Sequence, residues 1–252
     1  MTFIRQRALK GEFLAGAWCN LNSPLSVEIT AALGFDWLLV DQEHAPGDNR
    51  DLLAHAHAAS QYPVSVLVRI AWVDRILIKR ALDLGLGGIM VPYVQTAETA
   101  KEVVRYAKYM PQGERGVASS PRAAGYNANF KDYFATANDK LLTAVQIETG
   151  QSADNAEAIA AVDGVDVLFV GPLDLALNTN FYPAMFEDQK YVALLERVAK
   201  AAKNNGKACG ILLPNVKWIP LLKGLGYTFI ACGADGGMVA NGMKASLDAL
   251  RA

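Results

Sequence analysis

The sequence predicts a (β/α)8 barrel, and three observations carry that prediction. The chain has 252 residues, close to the roughly 250 that one such barrel needs. Eight short apolar runs alternate with eight longer amphipathic segments. The apolar runs are continuous, which is typical of parallel strands covered on both faces. No linker divides the chain, so residues 1–252 are expected to form one domain.

The predicted elements follow each other in regular order. The strands are expected at residues 15–20, 37–41, 64–70, 88–93, 142–148, 167–171, 208–213 and 228–232. The helices are expected at residues 24–33, 49–60, 74–84, 96–109, 151–161, 188–205, 216–225 and 236–250.

Several helix boundaries carry capping signals. Ser23 before Pro24 is typical of an N-cap followed by proline at the first helical position. Gly34 and Gly226 follow predicted helix ends, where a left-handed residue is favoured. Eight strand–helix units form either a doubly wound sheet or a closed barrel. The number of units and the lack of an early Gly-x-Gly-x-x-Gly turn favour the barrel.

One connection is much longer than the others. Residues 110–140 separate the fourth predicted helix from the fifth strand, and connections of this length are usually functional. The segment is rich in small and polar residues and carries Arg115 and Arg122. We expect it to cross the barrel mouth, with a short helix near residues 130–138.

Composition and charge exclude several classes of protein. Apolar residues make up 52% of the chain, charged residues 19%, and the formal net charge is −1. Such a balance excludes a broad basic surface for nucleic acid. We expect no secretory signal and no membrane span. The three cysteines lack metal-site spacing, so free thiols in the cytoplasm are expected.

Polar residues cluster where four predicted strands end. Active sites of (β/α)8 barrels lie at the C-terminal ends of the strands. The polar groups at these ends are Asp41, Glu43 and His44 after strand 2, Arg69 in strand 3, Gln146 and Glu148 in strand 5, and Asp174 after strand 6. One face of the barrel is therefore expected to combine an imidazole, a guanidinium and several carboxylates.

Glu148 and Asp174 are the candidate metal ligands. They follow adjacent strands, and two carboxylates with water or substrate oxygens suit Mg²⁺ or Mn²⁺. The alternative is that one carboxylate caps a helix while the other pairs with an arginine.

His44 and Arg69 are the candidate catalytic groups. Imidazole exchanges protons near neutral pH, and Asp41 lies close enough in sequence to orient the ring. Without such a role, His44 is an exposed loop residue. Arg69 ends an apolar strand, where an anionic substrate or developing enolate is a suitable partner. A structural ion pair is the alternative. Arg69→Ala is expected to lower turnover while sparing the fold.

Two further features bear on the chemistry. Gly171, Pro172 and Leu173 lie where a helical turn begins, and backbone N–H groups at such a position, here those of Gly171 and Leu173, can hold a carboxylate. None of the predicted strand ends carries the lysine that a Schiff-base aldolase needs. A metal-stabilised enolate is therefore favoured over an imine.

Together these motifs resemble the HpcH/HpaI aldolase family. The resemblance rests on the segment 34–46 with its Asp-Gln-Glu-His run, on Val91-Pro92, on Arg115-Gly116-Val117, on residues 145–149, and on residues 164–175 with Gly-Pro-Leu-Asp. It extends over nearly the whole chain with compatible spacing. It implies a barrel of the phosphoenolpyruvate/pyruvate-domain type.

The resemblance also implies an activity and a role for each residue. The activity is reversible aldol cleavage of 4-hydroxy-2-oxo acids to pyruvate and an aldehyde, with Mg²⁺, Mn²⁺ or Co²⁺ and with oxaloacetate decarboxylation as a side reaction. Glu148 and Asp174 would hold the metal, His44 would act as base, and Arg69 would stabilise the enolate. Gln146, Leu173 and Asp174 would contact the pyruvyl group.

The family is hexameric, a trimer of dimers with an exchanged C-terminal helix, and this bears on Asp83. Asp83 matches a family carboxylate that raises the basicity of the histidine. It ends the third predicted helix, at the far end of the barrel, so it can reach an imidazole only across a subunit interface.

The chain departs from the family pattern at Gln42 and in the segments 119–126 and 177–180, so the aldehyde is the least transferable part. A CoA-ester lyase of the citrate-lyase type and a non-catalytic small-molecule-binding barrel are the alternatives.

Overall fold

The computed structural model describes residues 2–252, which form a closed barrel of eight parallel strands in sequential order. The strands are β1 (Leu14–Cys19), β2 (Trp37–Asp41), β3 (Ser65–Arg69), β4 (Gly88–Val91), β5 (Leu142–Ile147), β6 (Val167–Val170), β7 (Ala208–Leu213) and β8 (Phe229–Ala234). The barrel closes where β8 pairs with β1. The predicted fold class is confirmed.

The helices lie outside the strands. They are α1 (Arg5–Leu9), α2 (Pro24–Ala32), α3 (Asn49–Ala58), α4 (Arg75–Leu82), α5 (Ala97–Ala107), α6 (Phe130–Lys140), α7 (Gly150–Asp154), α8 (Ala156–Ala160), α9 (Pro172–Asn178), α10 (Gln189–Asn204), α11 (Ile219–Leu225) and α12 (Asp235–Arg251). The helix predicted at 151–161 is divided at Asn155 into α7 and α8. The sequence does not predict α1 and α9 as helices, because five and seven residues are too few to display helical periodicity.

Two layers fill the barrel because alternate strand residues face its interior. The lower layer is apolar and contains Leu14, Trp37, Leu39, Leu67, Ala144, Phe169 and Phe229. Asp41 follows Leu39 by two positions, Arg69 follows Leu67, and Gln146 follows Ala144. The same alternation that builds the apolar core therefore places a polar layer at the C-terminal end.

The opposite end of the barrel is closed. Ile4 and Ala8, which flank or belong to α1, are buried in the interior cluster. Arg5 Nε donates to Asp166 Oδ1 at 2.9 Å, just before β6. The C-terminal end remains as the open end at which a ligand can enter.

The long segment 110–140 does not cross the mouth, and that prediction is wrong. Arg122 Nη1 donates to the carbonyl oxygens of Leu84 and Gly85, which precede β4. Lys108 Nζ, just before the segment, donates to the carbonyl oxygen of Leu141, which precedes β5. The segment thus lies along the outer side and N-terminal end of its own barrel. The reason is topological, since a helix that returns along the barrel ends at the end where the next strand begins.

Helix α12 leaves the barrel. Its first residue, Asp235, is buried and accepts hydrogen bonds from the Asn20 N–H at 2.8 Å and the Ser26 hydroxyl at 2.6 Å. From residue 237 onward every residue of the chain is exposed. The apolar side chains left exposed on this helix are Met238, Val239, Met243, Leu247 and Leu250.

Candidate active site

Arg69 and Asp41 form a buried ion pair at the C-terminal ends of β3 and β2. Arg69 Nε donates to Asp41 Oδ1 at 2.9 Å, and Nη2 donates to Oδ2 at 2.5 Å. Trp18 packs on the guanidinium with its ring centroid 4.8 Å from Cζ, and its indole N–H donates to Asp41 at 3.3 Å. Of the two partners considered for Arg69, the ion pair is present in the structure. Its two parallel hydrogen bonds fix the plane of the guanidinium.

The third guanidinium nitrogen faces Glu43. Arg69 Nη1 lies 3.0 Å from Glu43 Oε2, and burial raises the pKa of the Glu43 carboxyl, an effect that the charge of Arg69 opposes. His44 Nε2 lies 3.9 Å from the same carboxylate oxygen, and 69% of the His44 side chain is exposed. The imidazole therefore stands at the open mouth, near a carboxylate that sequence analysis had given no role.

Asp41 does not orient the imidazole ring. Its Oδ1 accepts hydrogen bonds from the backbone N–H groups of Glu43 and His44, at 3.0 and 3.3 Å. The expectation that Asp41 holds the ring is wrong for this chain. Its carboxylate instead fixes the turn after β2, which carries both Glu43 and His44.

Glu148 follows β5 and is buried among acidic groups. Its Oε1 accepts from Gln146 Nε2 at 2.6 Å, and its Oε2 accepts from the Tyr93 N–H at 3.1 Å. Burial raises the pKa of the Glu148 carboxyl to about 7, with added contributions from the charges of Asp174 and Glu43 and opposition from the Tyr93 hydrogen bond. A buried carboxylate with acidic neighbours is a position that a cation would stabilise.

Asp174 lies in the first turn of α9 and is exposed. It does not cap this helix, since the N-cap position is Gly171 and no side-chain capping bond is present there. Neither does any salt bridge within residues 2–252 involve Asp174 or Glu148. Neither candidate ligand therefore takes the alternative role of helix cap or arginine partner.

Gly171 leaves the space that Glu148 occupies. A Cβ atom added to Gly171 would lie 2.5 Å from Glu148 Oε1 and 2.7 Å from its Cγ. Pro172, at the first helical position, is buried, and its carbonyl oxygen accepts from the Tyr191 hydroxyl at 2.7 Å. The Gly-Pro-Leu-Asp run thus sets the backbone against Glu148 and leaves Leu173 exposed at the rim.

Gly171→Ala is expected to displace the Glu148 carboxylate without altering any functional group. Since a shift of about 1 Å in an active site can cost roughly a hundredfold in rate, we expect kcat to fall by about that factor. The measurement is steady-state turnover together with the melting temperature. Gly224→Ala, with no atom within 4 Å of the added Cβ, is the control. Unchanged turnover in Gly171→Ala would contradict the close packing of Gly171 against the Glu148 carboxylate.

The donor set fits a hard divalent cation. Glu148 and Asp174 offer carboxylate oxygens, and Gln146 Oε1 is buried without a hydrogen-bond partner among residues 2–252. Oxygen donors of this kind suit Mg²⁺ or Mn²⁺. Residues 2–252 contain no group of three or more His, Cys, Asp and Glu side chains arranged as a metal site. Water or substrate would therefore supply the other ligands.

Asp83 lies away from this site. It ends α4, and Arg115 Nη2 donates to its carboxylate at 2.7 Å. The backbone carbonyl of Asp83 accepts from the Ala123 N–H at 3.1 Å, within the long segment. Within one chain Asp83 therefore belongs to the N-terminal end of the barrel, as its helix position predicts.

Trp18 and Tyr93 also belong to the site, although neither was predicted from the sequence. Trp18 occupies an inward-facing position of β1, so strand alternation was a signal that could have found it. Tyr93 contributes a backbone N–H, which no residue type reveals.

At the C-terminal ends of its strands, this parallel barrel combines an ion-paired arginine, buried and exposed carboxylates, and a solvent-exposed imidazole. Such a combination defines the active site of a barrel enzyme. Residues 14–242 match the HpcH/HpaI aldolase/citrate lyase family. The chain therefore belongs to this family, and both the predicted family and the predicted activity, that of an aldolase and hence a carbon–carbon lyase, are confirmed.

Three relatives illustrate the match. The chain is 38% identical over 231 residues to 4-hydroxy-2-oxo-heptane-1,7-dioate aldolase of Escherichia coli, covering 91% of this chain and 87% of that protein. It is 38% identical over 242 residues to pyruvate aldolase of Rhizobium etli, covering 96% and 94%. The crystal structure of a family member from Burkholderia cenocepacia superposes with a TM-score of 0.93 at 34% identity, covering 99% of each chain.

Proposed function

We propose that this aldolase reversibly cleaves 4-hydroxy-2-oxo acids to pyruvate, or a close 2-oxo acid, and an aldehyde, with a divalent metal as cofactor. The observation that carries the proposal is the pair of Glu148 and Asp174 beside Arg69 at the barrel mouth. The names of the two aldolases described above support pyruvate as the product. Oxaloacetate decarboxylation needs the same enolate and is the expected side reaction.

Glu148 and Asp174 would hold Mg²⁺, Mn²⁺ or Co²⁺. Such a cation, when bound, polarises the keto oxygen of the substrate and lowers the cost of forming the enolate. Gln146, with its free amide oxygen, and the backbone of Gly171, Pro172 and Leu173 would orient the pyruvyl group. None of these groups needs to move a proton.

Arg69 and His44 would act on the reacting atoms. Arg69 presents positive charge where the enolate oxygen develops, and the ion pairs with Asp41 and Glu43 keep the guanidinium oriented. In cleavage, the C4 hydroxyl proton passes toward His44 as the C3–C4 bond breaks. The bonding electrons then remain on C3 as the enolate, and protonation of C3 gives pyruvate.

The site is expected to be completed by other subunits. We propose a homo-oligomer, a trimer of dimers by family resemblance, in which α12 is exchanged. The exposed apolar side chains of α12 support this, because large exposed apolar patches mark protein interfaces. Asp83 would then approach the His44 of another subunit.

The remaining partners are small molecules. The net charge of −1 gives no support to nucleic acid as a partner. Among residues 2–252, no helix combines the length and apolar character required to cross a membrane. We propose a cytoplasmic location, which the free thiols of Cys19, Cys209 and Cys232 support.

The test is release of pyruvate from 4-hydroxy-2-oxo acids, coupled to lactate dehydrogenase, before and after treatment with EDTA. Activity that EDTA removes and Mg²⁺, Mn²⁺ or Co²⁺ restores is the expected result. Activity that resists EDTA would overturn the role given to Glu148 and Asp174. No activity on these acids or on oxaloacetate would favour a CoA-ester lyase or a binding protein.

Metal binding is expected to depend on pH through Glu148. A ligand carboxyl must lose its proton before it binds a cation, and the pKa of Glu148 is raised to about 7 without metal. Affinity should therefore fall about tenfold per pH unit below pH 7 and be level above it. Titration calorimetry in buffers of different ionisation enthalpy should record about one proton released per metal at pH 6 and almost none at pH 8.

The control for this titration is Glu148→Gln, which removes the titrating group. Any remaining affinity in that variant should lose its dependence on pH near 7. His44→Gln, by contrast, should keep the dependence. A wild-type affinity that does not change from pH 6 to pH 8 would contradict the assignment.

A further inference from the structure

Two aromatic rings stand exposed at the rim of the barrel between β3 and β4. Trp72 follows β3 and Tyr93 follows β4, and their ring centroids are 6.1 Å apart with an interplanar angle of 32°. Trp72 is 56% exposed and Tyr93 is 40% exposed. Exposed aromatic surface beside a cleft commonly marks a ligand contact.

Tyr93 is joined to the reaction site through its backbone. Its N–H donates to Glu148 Oε2 at 3.1 Å, and its φ of +56° lies in the left-handed region. This region is unfavourable for a bulky residue and is occupied where the surroundings impose it, often at functional sites. The backbone conformation that directs the Tyr93 N–H toward Glu148 therefore also sets the position of the Tyr93 ring.

The rim rather than the long segment borders the mouth in this chain. Residues 110–140 lie along the outer side and N-terminal end, so within one chain they do not cover the site. Trp72 lies three positions beyond Arg69 in sequence, and Tyr93 contacts Glu148 directly. The aromatic pair therefore lies on the connections that follow β3 and β4, between the strand that ends in Arg69 and the strand that Glu148 follows.

We propose that Trp72 and Tyr93 form an apolar wall that contacts the carbon chain of the aldehyde and sets the enzyme's preference for alkyl and aryl aldehydes. The inference rests on the proposed aldolase function. A buried methylene contributes enough transfer free energy for about a three- to fourfold gain in affinity. Aromatic rings also stack on planar aryl groups in offset arrangements.

The experiment measures kcat/KM for metal-dependent addition of pyruvate to ethanal, butanal, hexanal and benzaldehyde. The ratio of the hexanal value to the ethanal value, taken within each variant, cancels any general loss of activity. In the wild type this ratio should be above about thirty, because four methylenes at about 2.5-fold each, which is less than for complete burial, give roughly forty. Trp72→Ala and Tyr93→Gly should each lower it at least about tenfold, with benzaldehyde reduced similarly.

The choice of variants keeps the backbone intact. Glycine adopts positive φ freely and retains the N–H that Glu148 accepts, so Tyr93→Gly removes only the ring. Tyr126→Gly is the matched control, because Tyr126 is also an exposed tyrosine, at 65%, with a φ of +55°. Tyr126 lies in the long segment. If Tyr126→Gly lowered the hexanal-to-ethanal ratio equally, the long segment of a neighbouring subunit would set the aldehyde preference. That result would overturn the proposal for Trp72 and Tyr93.

A second readout separates this inference from the proposed function. Exchange of the pyruvate methyl protons with D₂O, followed by NMR, reports enolate formation without any aldehyde. Wild-type enzyme that neither exchanges these protons nor adds pyruvate to any aldehyde would overturn the proposed function and this inference with it. Wild-type enzyme that does both, with ratios unchanged in Trp72→Ala and Tyr93→Gly, would overturn this inference alone.

Discussion

Glu148→Gln is expected to lower kcat/KM for aldol cleavage by at least about a thousandfold, because the proposed metal ion would supply several kcal/mol of charge stabilisation in the transition state. The amide has nearly the same shape as the carboxylate but no charge to hold a cation. The new amide oxygen can accept from the Tyr93 N–H, and its NH2 group can donate to the Gln146 side-chain oxygen, which has no partner within residues 2–252, once the Gln146 amide turns over. Loss of activity is thus expected without loss of the fold.

Stability should separate this variant from an unfolded one. The pKa of Glu148 is raised to about 7 because burial disfavours the charged form, so a neutral amide should leave the metal-free protein at least as stable at pH 8. The measurements are coupled pyruvate release, metal affinity by calorimetry and the melting temperature with and without metal. Glu102→Gln, on the exposed face of α5, is the control. Activity within tenfold of wild type would remove Glu148 from the metal site.

Arg69→Ala is expected to reduce both activity and stability. Loss of a preorganised charge at the developing oxyanion should lower kcat about 100- to 1000-fold. Its partner Asp41 is buried, with hydrogen bonds to Arg69 at both oxygens. Removing one partner of such a pair leaves an uncompensated charge and costs about 3–5 kcal/mol. The structure therefore predicts a loss of stability, contrary to the expectation from the sequence that Arg69→Ala spares the fold.

A double variant separates the two effects. In Arg69→Met with Asp41→Asn the buried Asp41 charge is removed together with its partner, and only Glu43, whose side chain is 15% exposed, loses an ion pair, so much of the lost stability should return while activity stays low. The loss in Arg69→Ala corresponds to a fall in melting temperature of roughly 10 °C for a chain of this size. Arg69→Lys keeps the charge but not the planar fork, and should fall between wild type and Arg69→Ala in turnover. Turnover in the double variant equal to wild type would show that Arg69 is structural only.

The strands and their polar ends were predictable because both follow local rules. Continuous apolar runs identify buried parallel strands, and the C-terminal ends of such strands converge on one mouth. Sequence alone thus placed Arg69 and Glu148 at one end of the barrel, and in the structure both are buried there, Arg69 in the polar layer and Glu148 two positions beyond Gln146. The hydrogen-bond partners of the Asp41 carboxylate were not predicted, because they depend on side-chain directions that spacing does not give.

Other features were not predicted from the sequence, for different physical reasons. The N–H of Tyr93 is a backbone group, so residue identity carries no signal for it. The small, polar composition of residues 110–140 suggested a loop over the mouth, although connectivity alone assigns a helix-to-strand connection to the N-terminal end. Within residues 2–252 nothing covers the apolar face of α12, so contacts within one chain do not identify its partner.

The two-layer interior has a consequence for how such an enzyme can diverge. Asp41, Arg69 and Gln146 belong to strands whose adjacent inward positions pack the apolar centre, so a change in these polar side chains disturbs the part of the barrel that is hardest to repack. Trp72 and Tyr93 lie on exposed connections that tolerate substitution. Natural variation and laboratory selection should therefore reach new aldehydes through few mutations, while the step that generates the enolate is inherited unchanged.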